Sequence, residues 1–297
     1  MSHFKKIGQV IITANLAIAA LMAAPSARAE HCVSYGNQPW NGKNPYAKLA
    51  SADPRQKLNL DVWSVGSHWK GGWVNLCSDA GPDNHWAFRS EWQLSGKIVQ
   101  AYPHTTRGWD WFHWLPHDAA GVDGFPIQVS NAGLHSKVQY DPRPLHGMFD
   151  VSYDIWLSDK PNPTPKDKIT EIMVWLTRGG GLEPLENNGG YLGTTAFGNV
   201  SGAWNIYAGK MNTTYQGIDM RWPVYSYVSD QPINRFDGEL APFIWNAVHR
   251  FQNQGALSNH MNDHWYVLGV QFGAEPVSGY GRLDVQSYAV QPEHERN

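Results

Sequence analysis

Three segments of the chain alternate between apolar and other side chains at every second residue. They span residues 151–157, 171–176 and 266–272, and in each one a row of apolar residues recurs on one side. This alternation is typical of β-strands that bury one face, and a slip of one residue would turn that face outward. The pattern therefore predicts packed sheets. The 29 glycines, the 19 prolines and the 16% of charged residues also favour a turn-rich β fold over a helical bundle.

Five further segments are predicted strands: 86–94, 97–102, 203–209, 223–229 and 282–290. One segment has helical spacing instead, with six apolar residues between Leu240 and Phe251. Asp237 could cap its start and Gly255 could end it, so a helix of about 14 residues is expected. The chain is therefore predicted to be all-β, with two packed sheets and one α-helix on the outside.

The first 29 residues have the pattern of a secretory signal peptide. Lys5 and Lys6 form a basic start, an apolar stretch covers 7–24, and an Ala-Arg-Ala cleavage motif ends at Ala29. A retained membrane anchor is the alternative, but polar residues interrupt the apolar stretch too often for a good span. We expect cleavage after Ala29, which leaves 30–297 as a single domain in the extracellular space or the periplasm.

Charge and tryptophan content narrow the range of partners. Without the leader the chain carries 20 basic and 26 acidic residues, a formal charge of −6. This charge disfavours nucleic acid and anionic membrane surfaces, so a neutral polymer is more compatible. The 15 tryptophans exceed what a core of this size needs. Because indole offers a flat apolar face and one N–H donor, they indicate a surface that stacks on flat ligands.

The exported chain keeps two cysteines, Cys32 and Cys77. A disulfide between them is expected in an oxidising compartment. It would close a loop of about 45 residues, worth roughly 4 kcal/mol in the chain-entropy treatment. A metal pair or a catalytic thiol is the weaker alternative.

Two pairs of histidines four residues apart raise a metal hypothesis. They are His113 with His117 and His260 with His264. Pro116 interrupts the first pair, the second lies in a polar stretch, and neither has an acidic third ligand at a useful spacing. Neither a metal nor a cofactor is therefore expected.

Two glutamates, Glu171 and Glu275, lie in or beside predicted strands whose other face is apolar. Glu171 shares its face with Met173 and Trp175, and Glu275 shares its face with glycine and glutamine residues. Glycoside hydrolysis needs two carboxyl groups on one such face. One is ionised to attack or assist the anomeric carbon, and the other is protonated to serve the leaving oxygen. The alternative is that each glutamate is a solvated strand residue, since periodicity alone does not bring the two together.

Both glutamate segments resemble strands of glycoside hydrolase family 12. Residues 171–176 (EIMVWL) are similar to the nucleophile strand of that family, and residues 272–276 (FGAEP) are similar to its acid/base strand. Further similar positions follow in the same order: Cys32 with Tyr35, Val62 and Trp63, Cys77, 92–96, 101–103, 151–157, 181–184, 204–209, 224–228 and a helix near 240–254. The resemblance covers nearly all of the chain after the leader.

The resemblance implies a β-jelly-roll sandwich of two curved antiparallel sheets. It also implies cleavage within β-1,4-glucan chains, with retention of configuration and without a metal. Glu171 would be the nucleophile, Glu275 the acid/base, and Asp154 would hydrogen-bond the nucleophile. Four residues would line the cleft: Trp63, Met173, Trp175 and Tyr35. We therefore expect a secreted, monomeric endoglucanase whose polysaccharide substrate is a cellulose-like glucan, a mixed-linkage glucan or xyloglucan.

The sequence departs from the family pattern at several positions. Ala274 stands where threonine is usual, Val277 where phenylalanine is common, and Asp61 where asparagine often precedes the stacking tryptophan. Segments 104–139 and 210–222 are longer than usual. These departures leave the catalytic pair intact and put the substrate preference in question.

The longer first segment carries Trp109, Trp111 and Trp114. They would either extend the cleft with stacking sites or close a long loop over the sheet. Two other function classes stay open. A non-catalytic, lectin-type carbohydrate-binding protein would explain the tryptophans but not both glutamate motifs. Another jelly-roll hydrolase, such as a family 11 xylanase or a family 16 glucanase, is the second class. The family 16 enzyme is disfavoured because Glu-x-Asp-x-x-Glu does not occur.

Overall fold

The computed structural model of the chain describes nine segments: 31–37, 42–51, 53–63, 69–78, 87–117, 119–121, 123–185, 189–251 and 259–296, with the side chains of 142–145 excepted. The leader expected at residues 1–29 lies outside the described residues, and so does Gly255.

The described segments form these elements in chain order: β1 (His31–Gly36), β2 (Lys48–Ala50), β3 (Lys57–Asn59), β4 (Gly72–Ser78), β5 (Phe88–Ser95), β6 (His104–Asp110), β7 (His113–Leu115), β8 (Ile127–Gln128), β9 (Leu134–His146), β10 (Phe149–Ser158), β11 (Ile169–Gly179), β12 (Gly190–Phe197), β13 (Val200–Tyr215), β14 (Ile218–Ser229), β15 (Arg235–Glu239), α1 (Ala241–Phe251), β16 (Tyr266–Pro276) and β17 (Ser278–Pro292).

The strands form two sheets, which we call the outer and the inner sheet. The outer sheet has the order β1-β4-β5-β17-β9-β15. The inner sheet has the order β12-β13-β14-β11-β10-β16-β6-β3-β2, with β7 beside β6 and β8 beside β16. Among the ladders between described strands, only the one between β11 and β14 is parallel. The prediction of an all-β sandwich with a single helix is confirmed.

The alternating sequence of β11 accounts for its place in the inner sheet. Ile172, Val174 and Leu176 have no exposed surface and belong to the main hydrophobic core. Burial of each such side chain stabilises the fold by about 1.5–3 kcal/mol. The opposite face of the same strand carries Glu171 and Met173. The aliphatic face of β11 thus packs into the core and leaves Glu171 on the other side of the sheet.

The predicted helix is present up to Phe251, where this described segment ends, so its length of about 14 residues stays a prediction. The described part covers 11 residues, Ala241–Phe251, and buries the apolar face that the spacing indicated. The expectation that Asp237 caps it is wrong, because Asp237 lies inside β15, where its carboxylate pairs with Lys137 Nζ at 3.1 Å. A residue four positions before the first helical residue is too far away to cap it. Within the described residues, no helix is long and apolar enough to cross a membrane.

The predicted strand at 97–102 is wrong. The chain there has no ladder partner, and β6 begins only at His104. The backbone N–H groups of this segment donate to separate carbonyls, with Gln100 bonded to Pro276 O and Tyr102 to Asp61 O. Pro103 follows directly, and proline has no N–H to give to a ladder. The apolar residues of this segment are buried in a connection rather than in a sheet.

The expected disulfide is present. Cys32 on β1 and Cys77 on β4 are directly opposite in the antiparallel ladder, with Cα atoms 4.1 Å apart and the sulfurs bonded. β1 is the edge strand of the outer sheet. The bond therefore ties an edge strand, which has only one neighbour in the sheet, to the strand behind it.

Replacing both cysteines by serine (Cys32→Ser with Cys77→Ser) should lower the free energy of unfolding by up to about 4 kcal/mol, because the unfolded chain regains the freedom of the closed loop. Guanidinium denaturation of the oxidised protein and of the double variant measures the difference. Thiol titration of denatured, unreduced protein should find no free thiol. Two free thiols, or identical denaturation midpoints, would contradict the expectation.

Candidate active site

Four carboxyl groups lie on one face of the inner sheet. Asp150 and Asp154 come from β10, Glu171 from β11 and Glu275 from β16, which are three adjacent strands. Asp150 is directly opposite Glu275, and Asp154 is opposite Met173. Sequence reasoning predicted three of these four residues, and the register brings all of them to the same region.

Burial raises the pKa of these four carboxyl groups. Asp150 is fully buried, Asp154 and Glu171 are nearly so, and Glu275 is half-buried. Loss of water is the largest cause that raises the pKa of each group, to about 7 for Asp150 and Glu171. The pKa of Glu275 also lies well above its usual range, because burial is joined by the charges of Asp150, Asp154 and Glu171.

Glu171 and Glu275 differ in their surroundings. Glu171 accepts a hydrogen bond from the indole N–H of Trp222 at 2.7 Å, which favours its charged form. Three neighbouring carboxyl groups favour the neutral form of Glu275 instead. The arrangement therefore separates one carboxyl that ionises more readily from one that retains its proton.

Asp150 is a site residue that sequence reasoning missed. It lies directly opposite Glu275 in the ladder between β10 and β16, and its charge is one of the causes that raise the pKa of Glu275. The alternation gives Asp150 the same strand parity as Asp154, but the pairing of Asp150 with Glu275 depends on the register between strands, which a single sequence does not show.

Asp154 lies beside the proposed nucleophile but contacts it differently from the expectation. Its pKa is raised well above the usual range by burial first and by the charge of Glu171 second. The expected hydrogen bond between Asp154 and Glu171 is not among those that the described residues form, and one oxygen, Oδ1 of Asp154, has no partner there. The hydrogen bond to Glu171 comes from Trp222.

The four expected cleft residues lie at different depths. Met173 and Trp175 share the Glu171 face of β11 and are nearly buried. Trp63 is half-buried after β3, and Tyr35 on β1 packs edge-on against Trp69, with ring centroids 5.2 Å apart. Their roles toward a ligand stay a prediction.

An aromatic cluster covers the sheet beside Glu171. It consists of six residues from four strands and one turn: Trp109, Trp111, Phe112, Trp156, Tyr215 and Trp222. Ring centroids of Trp109 and Trp156 are 5.5 Å apart, and those of Phe112 and Tyr215 are 5.0 Å apart. Residues of the two segments that are expected to be long for the family, 104–139 and 210–222, thus meet here. Of the tryptophans in the first segment, Trp109 and Trp114 are buried, which favours loop closure over cleft extension for those two.

The turn that carries the cluster is strained. Trp111 and Phe112, between β6 and β7, have φ angles of 45° and 67°. Residues other than glycine seldom adopt this left-handed backbone region. Such backbone costs on the order of 1–3 kcal/mol per residue and persists only where packing enforces it. The contacts of both rings within the aromatic cluster supply that enforcement.

Buried polar atoms without partners form two rows across the strands. Within the described residues they include five on the carboxyl face: His104 Nε2, Trp175 Nε1, Thr106 Oγ1, Asp154 Oδ1 and Ser226 Oγ. His104 and Trp175 lie in one row of residues that are paired across the strands. Thr106, Asp154 and Ser226 lie in the next row. Burial lowers the pKa of His104, and its Nδ1–H donates to Tyr102 O at 2.6 Å, so Nε2 is left as an acceptor. This mixture of donors and acceptors suits hydroxyl groups, which do both.

The structure contains no group of three His, Cys, Asp or Glu side chains placed to hold a metal ion, as far as the described residues extend. Of the histidine pairs in the metal hypothesis, His117 pairs with Asp123 instead, with Nδ1 2.8 Å from the carboxylate.

Comparison with known proteins decides the family. A sequence model described as glycosyl hydrolase family 12 matches residues 100–293. Endoglucanase S of Pectobacterium parmentieri is 31% identical over 257 residues, which cover 84% of this chain and 86% of the relative. The chain belongs to glycosyl hydrolase family 12.

Other relatives of this family 12 hydrolase have two kinds of name. A xyloglucan-specific endo-β-1,4-glucanase from Emericella nidulans is 35% identical over 142 residues, about half of each chain. Among solved structures, a family 12 xyloglucanase from Bacillus licheniformis superposes with a TM-score of 0.69 at 21% identity, covering 87% of this chain and 99% of that one. An endoglucanase from Rhodothermus marinus gives a TM-score of 0.62. These structures confirm the fold.

For this family 12 hydrolase, Asp150→Asn should move the upper limb of the pH profile of kcat/KM to lower pH by about one unit. The charge of Asp150 raises the pKa of Glu275, so its removal lets Glu275 lose its proton earlier. Initial rates on a soluble β-glucan between pH 4 and pH 10 measure the limb. Exposed Asp230→Asn changes the net charge equally and should leave the limb in place. An unmoved limb in Asp150→Asn would contradict the pairing.

Proposed function

We propose that this family 12 hydrolase is an exported endo-β-1,4-glucanase that cleaves its polymer with retention of configuration. The observation that carries the proposal is the unequal pair on the inner sheet, with a hydrogen-bonded Glu171 and a Glu275 crowded by other carboxyl groups. Retention needs one ionised and one protonated carboxyl at the same bond. The pair supplies both from a single sheet face.

In the first step, an oxygen of the Glu171 carboxylate attacks the anomeric carbon. The bond to the leaving sugar breaks, and Glu275 transfers its proton to the departing oxygen. In the second step, Glu275, now ionised, takes a proton from a water molecule, whose oxygen attacks the glycosyl ester and releases Glu171. Each carboxyl ends in the protonation state in which it began. The negative charge of Asp150 raises the pKa of Glu275 and so favours the return of the proton to Glu275.

An extended polymer fits the direction of the polar rows. Both rows begin on β6, and the longer one reaches β14 in four strand steps of about 4.8 Å, close to 20 Å, which is the length of several sugar units. A chain of sugars lying along these rows would place its hydroxyl groups against the unpartnered atoms. The names of the relatives, endoglucanase and xyloglucan-specific endoglucanase, support a β-1,4-glucan backbone.

A lectin-type binding protein is the competing proposal. Flat aromatic rings and unpartnered polar atoms would serve sugar binding alone. A buried carboxyl cluster would not, because each buried acid costs stability unless its proton or its charge is used. Export is proposed on the pattern of residues 1–29, with the protein acting as a monomer.

Glu171→Ala should abolish turnover of β-glucan, whereas Glu275→Ala should retain the first step on aryl cellobiosides with good leaving groups, which need no proton. Azide added to the Glu275 variant should accept the glycosyl group and yield a β-glycosyl azide. Proton NMR of the first product of the native enzyme should find the β anomer. A first-formed α anomer would mean inversion and would reject the role of Glu171.

Trp63→Ala should weaken binding of long cello-oligosaccharides by on the order of 1–3 kcal/mol, through loss of stacking area. Calorimetry in a Glu171→Ala background measures the affinity without turnover. Trp245 on α1 is exposed and serves as a matched control, since Trp245→Ala removes an indole away from the carboxyl face. Equal affinities for both variants would reject the stacking role.

The same binding and reducing-end assays on xyloglucan, carboxymethylcellulose, barley β-glucan and xylan identify the preferred backbone. Activity on xylan alone would replace the glucanase proposal with that of a xylanase, and binding without release of reducing ends would favour the lectin.

A further inference from the structure

The indole of Trp222 is a neutral donor in direct contact with Glu171. Trp222 is 2% exposed and lies on β14, two residues before Val224, the register partner of Glu171 in the parallel ladder. Its Nε1–H donates to Oε2 of Glu171 at 2.7 Å. The hydrogen bond therefore joins the two strands through side chains, next to the place where their backbones pair.

Trp222 is a neutral donor to Glu171 in surroundings that otherwise consist of other carboxyl groups. Asp150 and Asp154 face Glu171 from β10, and Glu275 faces it from β16, each a carboxyl that interacts with its charge. From β14 the contact is the neutral indole itself. Repulsion among four acids would otherwise leave the position of the negative charge undecided. A single fixed N–H beside one of them decides it, because a hydrogen bond to a charged acceptor stabilises that charge.

The kind of donor also matters. An indole N–H cannot titrate and cannot accept a proton, so its preference for a carboxylate is the same at every pH. A lysine or arginine in its place would attract all of the nearby carboxyl groups and would favour ionisation of Glu275 as well. A neutral donor acts on the atom that it touches.

The aromatic cluster fixes the direction of this N–H. The ring of Trp222 packs edge-on against Trp111, with ring centroids 5.5 Å apart. It also packs at a tilt against Trp156, with ring centroids 5.9 Å apart. Trp156 directs its own Nε1–H away from Glu171, to Oε1 of Gln271 at 3.1 Å. Two buried tryptophans of the same cluster thus have different acceptors, and only Trp222 serves the nucleophile.

We propose that Trp222 is the positioning residue of the nucleophile: its indole N–H holds Oε2 of Glu171, keeps the charge on this carboxyl, and leaves Oε1 free to attack. The role of Glu171 as the nucleophile rests on the proposed function. The hydrogen bond from Trp222 and its electrostatic effect on Glu171 do not depend on turnover.

A measurement on the unmodified protein tests the bond directly. The indole proton of Trp222 in a ¹H–¹⁵N spectrum should move downfield as Glu171 ionises, with the same midpoint as the ¹³C carboxyl resonance of Glu171. Glu171→Gln keeps the side-chain volume and removes the titration, so this indole proton should lose its main pH dependence. An indole proton that is insensitive to pH, or that titrates unchanged in Glu171→Gln, would overturn the proposal.

Trp222→Phe with the matched control Trp156→Phe tests the effect on the reaction. Loss of the donor raises the pKa of Glu171, so in Trp222→Phe the lower limb of kcat/KM should move to higher pH by about one unit, a tenfold loss of kcat/KM below that limb. Trp156→Phe keeps an aromatic ring against Trp222 and removes only an N–H that serves Gln271, so it should leave this limb unmoved. An equal shift in both variants, or none in Trp222→Phe, would reject the role.

The two experiments separate this proposal from the proposed function. If the protein cleaves no β-glucan, the pH profiles cannot be recorded, whereas the titrations of Trp222 and Glu171 still report their bond. If Trp222→Phe does not fold, judged by its near-ultraviolet circular dichroism, the titration in the native protein and in Glu171→Gln decides the question.

Discussion

Crowding of four acids on one sheet face is the constraint on which the rest of the structure depends. Removal of water favours the neutral form of each acid, and the charges of neighbouring carboxylates strengthen that preference for Asp150, Asp154 and Glu275. Glycoside hydrolysis nevertheless needs one negative charge and one proton within the group. In the proposed mechanism, neighbours of opposite effect serve these two needs: a neutral donor at Glu171 and a second carboxyl, Asp150, at Glu275.

The crowding of the four acids also explains the aromatic cluster and its strained turn. A neutral N–H stabilises a charge only when it cannot turn away, so the indole of Trp222 requires packing on several sides. Trp111 provides part of that packing from a turn with left-handed backbone, which few residues other than glycine adopt. The local cost of the turn and the fixed direction of the donor are therefore two aspects of one arrangement.

Much of this architecture could be predicted from the chain alone. Alternation places Glu171 and Glu275 on faces opposite aliphatic rows, and the resemblance to family 12 supplies the pairing that periodicity lacks. Asp150 and Trp222 were missed because their roles depend on the register between strands that are far apart in sequence, and a single sequence carries no signal for register. The strand predicted at 97–102 failed for a local reason, since apolar residues before a proline can be buried in a connection.

The order of the strands also has a consequence for how the protein is made. β11 lies between β10, which precedes it, and β14, which pairs with it in parallel and is synthesised only after the β12–β13 hairpin. Glu275 follows Glu171 by about 100 residues, which a ribosome needs about 5–20 s to add. The acids cannot meet until nearly all of the chain has emerged. Until β16 is made, β10 and β6 lack the strand that lies between them, so the two parts of the inner sheet stay separate in the unfinished protein.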